Sequence, residues 1–148
     1  MQSAGVLMFR QRGGMLEVFL VHPGGPFWAH KDDGAWSIPK GEINSDENPL
    51  AAAKRELAEE TGVTVDGDFL ELKPVRQKSG KIVHAWAVRG DADPAGITSN
   101  TFTYKGREYP EVDRAAWFSL AEARRKLLPG QVPLLDELDG RVSAEGTP

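Results

Sequence analysis

The sequence predicts an α+β or α/β domain built on a mixed sheet, and three observations carry that expectation. Runs rich in β-branched and aromatic residues recur in both halves of the chain, as in Met15–His22 and Lys81–Arg89. One well-capped helical stretch lies between them, from Asn48 to Gly62. Two further helical stretches follow the last strand-like run. With 148 residues, 40% hydrophobic and 27% charged, the chain has room for one domain with its own core and too little for two. The expected domain covers residues 1–140, with 141–148 as a flexible C-terminal tail.

Ser3–Phe9 and Met15–His22 form the first strand pair, turning at Gly13-Gly14. Pro23 to Gly34 is too rich in Gly, Pro and Asp for a regular element, and its dozen residues suit a loop that lines a site. Trp36-Ser37-Ile38 is extended because Ile38 precedes a proline. Asn48 caps the helix, Pro49 takes its first position and Gly62 ends it. Strand character returns at Val63–Val65 and Phe69–Pro74, then most clearly at Lys81–Arg89 behind a Gln77–Gly80 turn. Gly90–Gly96 is loop, Ile97–Tyr104 a further strand, Lys105–Pro110 a polar loop, and Ala115–Phe118 the last strand. Ser119 and Glu122 form a capping box for a helix to Leu127; Pro129-Gly130 breaks it, and a second helix covers Gln131–Leu138.

The helix from Asn48 carries the chemistry. Glu56, Glu59 and Glu60 are spaced by three and four, so 3.6 residues per turn puts all three on one face. Like charges so placed repel by about 0.3 kcal/mol per pair, and helix propensity gives no reason to gather them. Leu50, Ala53 and Leu57 supply a separate apolar face for the sheet. Gly41 allows a close backbone approach or a left-handed turn, and Arg55 lies where it can pair with Glu47 and clamp the preceding loop. A clamped loop leading into three carboxylates is an oxygen cage for a hard cation, against the plainer alternative of a solvated acidic face.

Gly41, Glu47, Arg55, Glu56, Leu57, Glu59, Glu60, Gly62 and Val63 match, without a gap, the pattern G-x5-E-x7-R-E-U-x-E-E-x-G-U, where U is aliphatic. On that 23-residue box the chain resembles the Nudix hydrolases. The resemblance implies a mixed sheet between helices, an α/β/α sandwich, and a magnesium- or manganese-dependent attack of water on a diphosphate linkage. It implies Glu56 and Glu60 as principal metal ligands, Glu59 as a further ligand or the holder of the attacking water, and Arg55 as the structural partner of Glu47. A catalytic or metal-binding glutamate from a later loop is matched by Glu111, six residues before Trp117, with Glu108 and Asp113 as rivals. WSIPKG before the box is similar to members acting on diadenosine polyphosphates or inositol pyrophosphates, whereas the oxidised-nucleotide branch more often has PGG.

Composition narrows the chemistry further. With no cysteine there is no thiolate site or cysteine nucleophile, and oxygen-only ligands favour Mg²⁺ or Mn²⁺ over zinc. The formal charge of −4 and the lack of a dense Lys/Arg tract argue against an extended nucleic-acid surface. No membrane span or secretory signal is indicated, and the expected compartment is the cytoplasm. Lys40 and Gly41 at the loop mouth, and Lys31, Lys105 and Arg107 in flanking loops, are candidates for contacting phosphates. Phe27, Trp28, Tyr104 and Tyr109 are candidates for stacking on a base, whereas Trp36, Trp86 and Trp117 belong to the core or its walls. The expected substrate is a nucleoside polyphosphate, foremost a dinucleoside polyphosphate. Nucleoside triphosphates, RNA 5′ ends, inositol pyrophosphates and a non-enzymatic nucleotide-binding role are the alternatives, and the chain is expected to act as a monomer or homodimer.

Overall fold

The computed structural model describes residues 2–145. Strands β1 (Gln2–Arg12) and β2 (Met15–Pro23) form a hairpin whose turn residues, Gly13 and Gly14, have φ of 60° and 80°. That left-handed conformation is why two glycines stand there. Then come β3 (Lys40–Glu42), α1 (Pro49–Thr61), β4 (Leu70–Glu71), β5 (Val75–Arg76), β6 (Ile82–Arg89), β7 (Thr101–Tyr104), β8 (Arg107–Pro110) and β9 (Val112–Ser119). Helices α2 (Leu120–Lys126) and α3 (Val132–Glu145) follow.

The main sheet runs β4-β6-β1-β2-β9, with β3 on β1 and β5 on β6. Among the described strands only β1 and β6 pair in parallel; the other pairs are antiparallel, so the sheet is mixed as expected. Alternation along the strands sorts side chains to two faces. Ala4, Val6, Met8, Phe19 and Val21 pack with Ala52, Ala53 and Leu57 of α1. Leu7, Phe9, Val18 and Leu20 pack with Ala123 of α2 and Leu134, Leu135 and Leu138 of α3. The result is the α/β/α sandwich, with α1 alone on its face.

Local signals mark both ends of α1 and the start of α2. The Asn48 side chain accepts from Ala51 N–H, Gly62 adopts φ 76° at the other end of α1, and Ser119 with Glu122 completes the capping box of α2.

Four expectations are corrected. The polar loop at Lys105–Pro110 is half strand: β8 pairs with β7, and the turn is Lys105-Gly106, both at positive φ. Residues 63–65 lie outside every strand, and Ile97–Ser99 docks on the end of α1 instead of extending β7. The tail expected from 141 is helix as far as Glu145, because Val142 continues the apolar stripe of Leu135 and Leu138 into the core and Arg141 donates to the Glu71 carbonyl. Gly140 costs about 1 kcal/mol in a helix interior, less than that burial returns. Residues 146–148 of the expected tail lie outside the described residues.

The fold places the loop before α1 against the middle of the sheet. Ala4 pairs with Gly41 and Gly5 with Lys40. A Cβ at Gly5 would stand 2.6 Å from the Pro39 carbonyl oxygen, so only glycine lets β3 lie this close.

Ending the chain after Gly140 removes the buried Val142, and is expected to lower stability by about 2 kcal/mol. Chemical denaturation of both forms measures it; an unchanged midpoint would mean that the last helical turns contribute nothing.

Candidate active site

The box helix and its loop meet at Arg55. Its Nε donates to Glu47 Oε2 at 2.8 Å and its Nη2 to Glu47 Oε1 at 2.9 Å, the two-point pairing that guanidinium geometry favours. Nη2 also reaches the Glu42 carbonyl at 3.0 Å, while Nη1 donates to Glu56 at 2.9 Å and to both Glu59 oxygens at 3.1 and 3.2 Å. The clamp between Glu47 and Arg55 is therefore present, and Arg55 also orders two of the three helix carboxylates. Its hydrogen bond to Arg55 and the Asn44 N–H lower the Glu47 carboxyl to about 2, and Glu47 in turn raises the guanidinium.

Glu56 and Glu60 are the more buried of the three helix carboxylates. A Cβ at Gly41 would lie 2.1 Å from the Glu56 carboxyl, so Gly41 serves by the close approach of its backbone. The Lys40 N–H donates to Glu60 Oε1 at 3.3 Å, tying the end of the helix to β3. Burial raises the Glu56 carboxyl, partly offset by Arg55. Burial, then Glu56 and Glu111, push Glu60 up to about 8. Burial and the neighbouring Lys81 lower the Lys40 ammonium, against the pull of Glu60 and Glu56.

Glu111 arrives from across the fold on three backbone hydrogen bonds. Asn100 N–H donates to the Glu59 carbonyl, Glu111 N–H to the Asn100 carbonyl, and Gly24 N–H to the Glu111 carbonyl. The residue thus joins the end of α1, the β7–β8 hairpin and the loop after β2. It borders three adjoining cavities. One, of about 500 Å³, is acidic and is lined by Glu56, Glu59 and Glu60 together with Lys40, Lys81 and Asn100. One, of about 510 Å³, is aromatic, with Phe27, Trp28, Phe102 and Tyr104. The third, of about 270 Å³, lies between Trp28, Ser37, Lys40, Glu60 and Gln77. A larger cavity of about 680 Å³ beside Arg10 and Trp117 contains none of the box carboxylates, and Arg10 is already paired with Glu17 and Asp91 there.

The aromatic loop is anchored from below by His22, fully buried on β2. Its Nδ1 lies 2.9 Å from Asp113 Oδ1 and its Nε2 2.6 Å from the Lys31 carbonyl oxygen. Both partners are acceptors, so both contacts are hydrogen bonds only when both ring nitrogens carry hydrogen.

The structure therefore gathers Glu56, Glu59, Glu60, Glu111, Lys40 and Gly41 around one acidic cavity, and Phe27, Trp28 and Tyr104 around its neighbour. It does not gather Lys31, whose Nζ sits 3.8 Å over the Phe27 ring, nor Lys105 and Arg107 at the exposed end of the β7–β8 hairpin. Tyr109 packs on Phe102 instead of lining the aromatic cavity, and Glu108 bonds Thr101. Lys81, Asn100, Phe102 and Gln77 are site residues that no local pattern marks; each depends on pairing between distant segments.

The donor set fits a hard divalent cation: the candidate ligands are all oxygens, Gly41 leaves the Glu56 carboxyl its space, and burial, then the like charges of Glu56 and Glu111, raises Glu60. Among the described residues, no group of three or more acidic or histidine side chains is already closed around one point. The side chains available to complete such a site are Glu56, Glu60 and Glu111, because Arg55 engages both oxygens of Glu59 but only one of Glu56.

Two outcomes follow from this geometry. Gly41→Ala pushes the Glu56 carboxyl aside without touching the core, so the variant is expected to fold normally while its Mn²⁺ affinity, read by calorimetry, falls at least about tenfold. Equal affinity would show that Glu56 is not a ligand. Glu60 ionises near 4.5 when unfolded and about 8 when folded, so between those values the unfolded chain holds fewer protons. Metal-free stability should therefore be greatest below about pH 4.5 as far as this group is concerned, fall by a few kcal/mol toward pH 8 and then level. Glu60→Gln should flatten that fall in denaturant midpoints, and an identical slope in both proteins would contradict it.

Comparison with known proteins agrees with the geometry. The chain is similar to mRNA-decapping enzyme subunit 2 of Saccharomyces cerevisiae, 26% identical over 106 residues, which is 68% of this chain and 10% of that protein. It thus spans about a tenth of the length of that relative. A MutT-like protein of Streptomyces ambofaciens is 30% identical over 110 residues, 74% of this chain and 64% of that one. Among solved structures, the fold is shared with a C. elegans Ap4A hydrolase binary complex at a TM-score of 0.72, with 20% identity, covering 96% of this chain and 98% of that one. The NUDIX domain model matches residues 1–138, spanning the sheet, the box helix and Glu111. The chain belongs to the NUDIX domain family, the Nudix hydrolases.

Proposed function

We propose that this chain hydrolyses a diphosphate linkage of a nucleoside polyphosphate, with a dinucleoside polyphosphate such as diadenosine tetraphosphate as its preferred substrate. The observation that carries the reading is the position of Glu111, shared by an aromatic cavity suited to a base and an acidic cavity suited to phosphate and cation. Phe27, Trp28 and Tyr104 stack on the base, a contact worth about 1–3 kcal/mol per base and tolerant of base identity. The polyphosphate then extends past Glu111 toward Lys40 and Lys81, whose charges partly balance it.

Glu56 and Glu60 would hold a Mg²⁺ or Mn²⁺ ion in the acidic cavity that Glu111 also borders. When bound, the cation supplies charge neutralisation along the phosphates and a more acidic water. Arg55 would keep Glu59 in place to hold the attacking water and, through Glu47, keeps the loop from moving away. Glu111 has no side-chain hydrogen-bond partner among the described residues, so its carboxylate is free to take the proton as the water oxygen bonds to phosphorus and the bridging P–O bond breaks. The likeness to the yeast decapping enzyme subunit favours a second reading, processing of an RNA 5′ end at the same carboxylates. Among the described residues no helix is long and apolar enough to cross a membrane.

The test is product analysis with diadenosine tetraphosphate, ATP and a 5′-triphosphorylated oligonucleotide, each with Mg²⁺ or with chelator. The reading predicts ATP and AMP from the dinucleotide, in Mg²⁺ alone, at a higher kcat/KM than on the other two. Glu111→Gln should lower kcat about 10²- to 10⁴-fold with little change in KM. Preferred cleavage of ATP or of the oligonucleotide would reassign the substrate, and silence on all three would leave a binding role.

A further inference from the structure

The third cavity beside Glu111 has a wall whose polarity is fixed from behind. Gln131 is fully buried, and its Oε1 accepts from the Ile38 backbone N–H at 3.0 Å. A backbone N–H can only donate, so this contact decides which end of the amide is oxygen. The Gln131 Nε2 then donates to Ser37 Oγ and to Gln77 Oε1, both at 2.9 Å. Ser37 passes its own hydrogen to the Ile38 carbonyl at 2.6 Å and so accepts from Gln131. Every polar atom of the buried amide is matched, and reversing it would set two donors or two acceptors against each other. Gln77 is left with its oxygen engaged and its amide nitrogen without a partner among the described residues, on the wall of a cavity it shares with Lys40, Trp28 and Glu111.

The backbone beneath Gln77 is equally constrained. Its N–H donates to the Lys81 carbonyl and its carbonyl accepts from Gly80 N–H, both at 2.8 Å. The turn at Gly130 sits directly against it: a Cβ there would stand 2.8 Å from Gln77 Cα. A side chain so held, presenting only N–H groups beside an ammonium, is matched to a ligand atom that only accepts and carries negative charge. At about 270 Å³ the cavity takes a phosphoryl group more readily than a second base with its ribose.

We propose that Gln77 is a specificity-determining residue that donates, together with Lys40, to a phosphoryl oxygen of the substrate's polyphosphate chain, and that Gln131 is the positioning residue that fixes its polarity. This deepens the function proposed above and rests on it for the identity of the ligand. It makes the length of the phosphate chain, more than the base, the feature read on this side of Glu111.

The test is calorimetric binding of inorganic tripolyphosphate and, separately, adenosine to the full chain in Ca²⁺, with thermal unfolding as the check on folding. Gln77→Met, which keeps the size and loses the donors, is expected to weaken tripolyphosphate about 10- to 100-fold and leave adenosine unchanged. Gln131→Glu is the sharper variant, since the substituted side chain never lines the cavity. One of its carboxylate oxygens still accepts from Ile38, but the other can only accept, so Gln77 turns its nitrogen inward and offers the cavity its carbonyl. The same loss for tripolyphosphate is expected, whereas a merely structural Gln131 would weaken both probes or neither. Unchanged tripolyphosphate binding in a folded Gln77→Met variant, no binding by the wild-type chain, or a loss confined to adenosine would each overturn the proposal. Because these readouts do not involve turnover, a chain that hydrolyses nothing yet shows the expected losses would refute the proposed hydrolysis and keep this inference.

Discussion

Arg55 is the interaction on which the site depends. Nothing obliges three acidic side chains on one helical face to stay together, and repulsion works against it. One guanidinium that donates to Glu47, Glu56, Glu59 and the Glu42 carbonyl gives the face a fixed order. Half-buried and partnered on every side, this network acts as a unit more than as a sum of pairs. It also separates the carboxylates into two roles. Glu47, Glu56 and Glu59 are bonded to Arg55, while Glu60 is not among its partners and is raised to about 8 by burial and then by Glu56 and Glu111.

The sheet supplies the rigidity that this arrangement needs. The parallel β1–β6 pair and the β1–β3 pair bring Lys40, Gly41 and Lys81 to one edge of the helix, and close packing at Gly5 and Gly41 leaves the loop little freedom. On the opposite side, the carbonyl-to-amide chain through Glu59, Asn100, Glu111 and Gly24 uses backbone groups alone to set Glu111 against the carboxylates. Side-chain chemistry is thus free to face the cavities, with aromatic groups on one flank and donors on the other. The two flanks of Glu111 differ in kind, which is what an asymmetric reading of base and phosphate requires.

Much of this was legible in the sequence because it is local. Asn48, Pro49, Gly62 and the Ser119–Glu122 box mark helix ends through bonds made within four residues, and the Glu47–Arg55 pair closes over eight. Glu111 was found through its spacing to Trp117, a pattern of the family and not a consequence of local physics. Gln77, Lys81, Asn100 and Phe102 gave no such signal, since a lysine opening a strand or a glutamine in a turn looks the same whether or not a cavity lies beside it. Their roles come from β5–β6 pairing, the Gly130 contact and the β7–β8 hairpin, all contacts between distant segments. The same limit explains the tail: Gly140 looks like a stop until Val142 is seen to have core to pack against.

In the proposed reaction a divalent cation completes the platform of Glu56, Glu60 and Glu111 and displaces the proton that Glu60 carries near neutral pH. Calorimetric titration of Mn²⁺ at pH 7 in buffers of different ionisation enthalpy tests it most directly. With Glu60 lifted to about 8, binding is expected to release close to one proton per cation at pH 7, and almost none above about pH 9. Absence of Mn²⁺ binding, or binding at pH 7 with no proton release, would contradict the account.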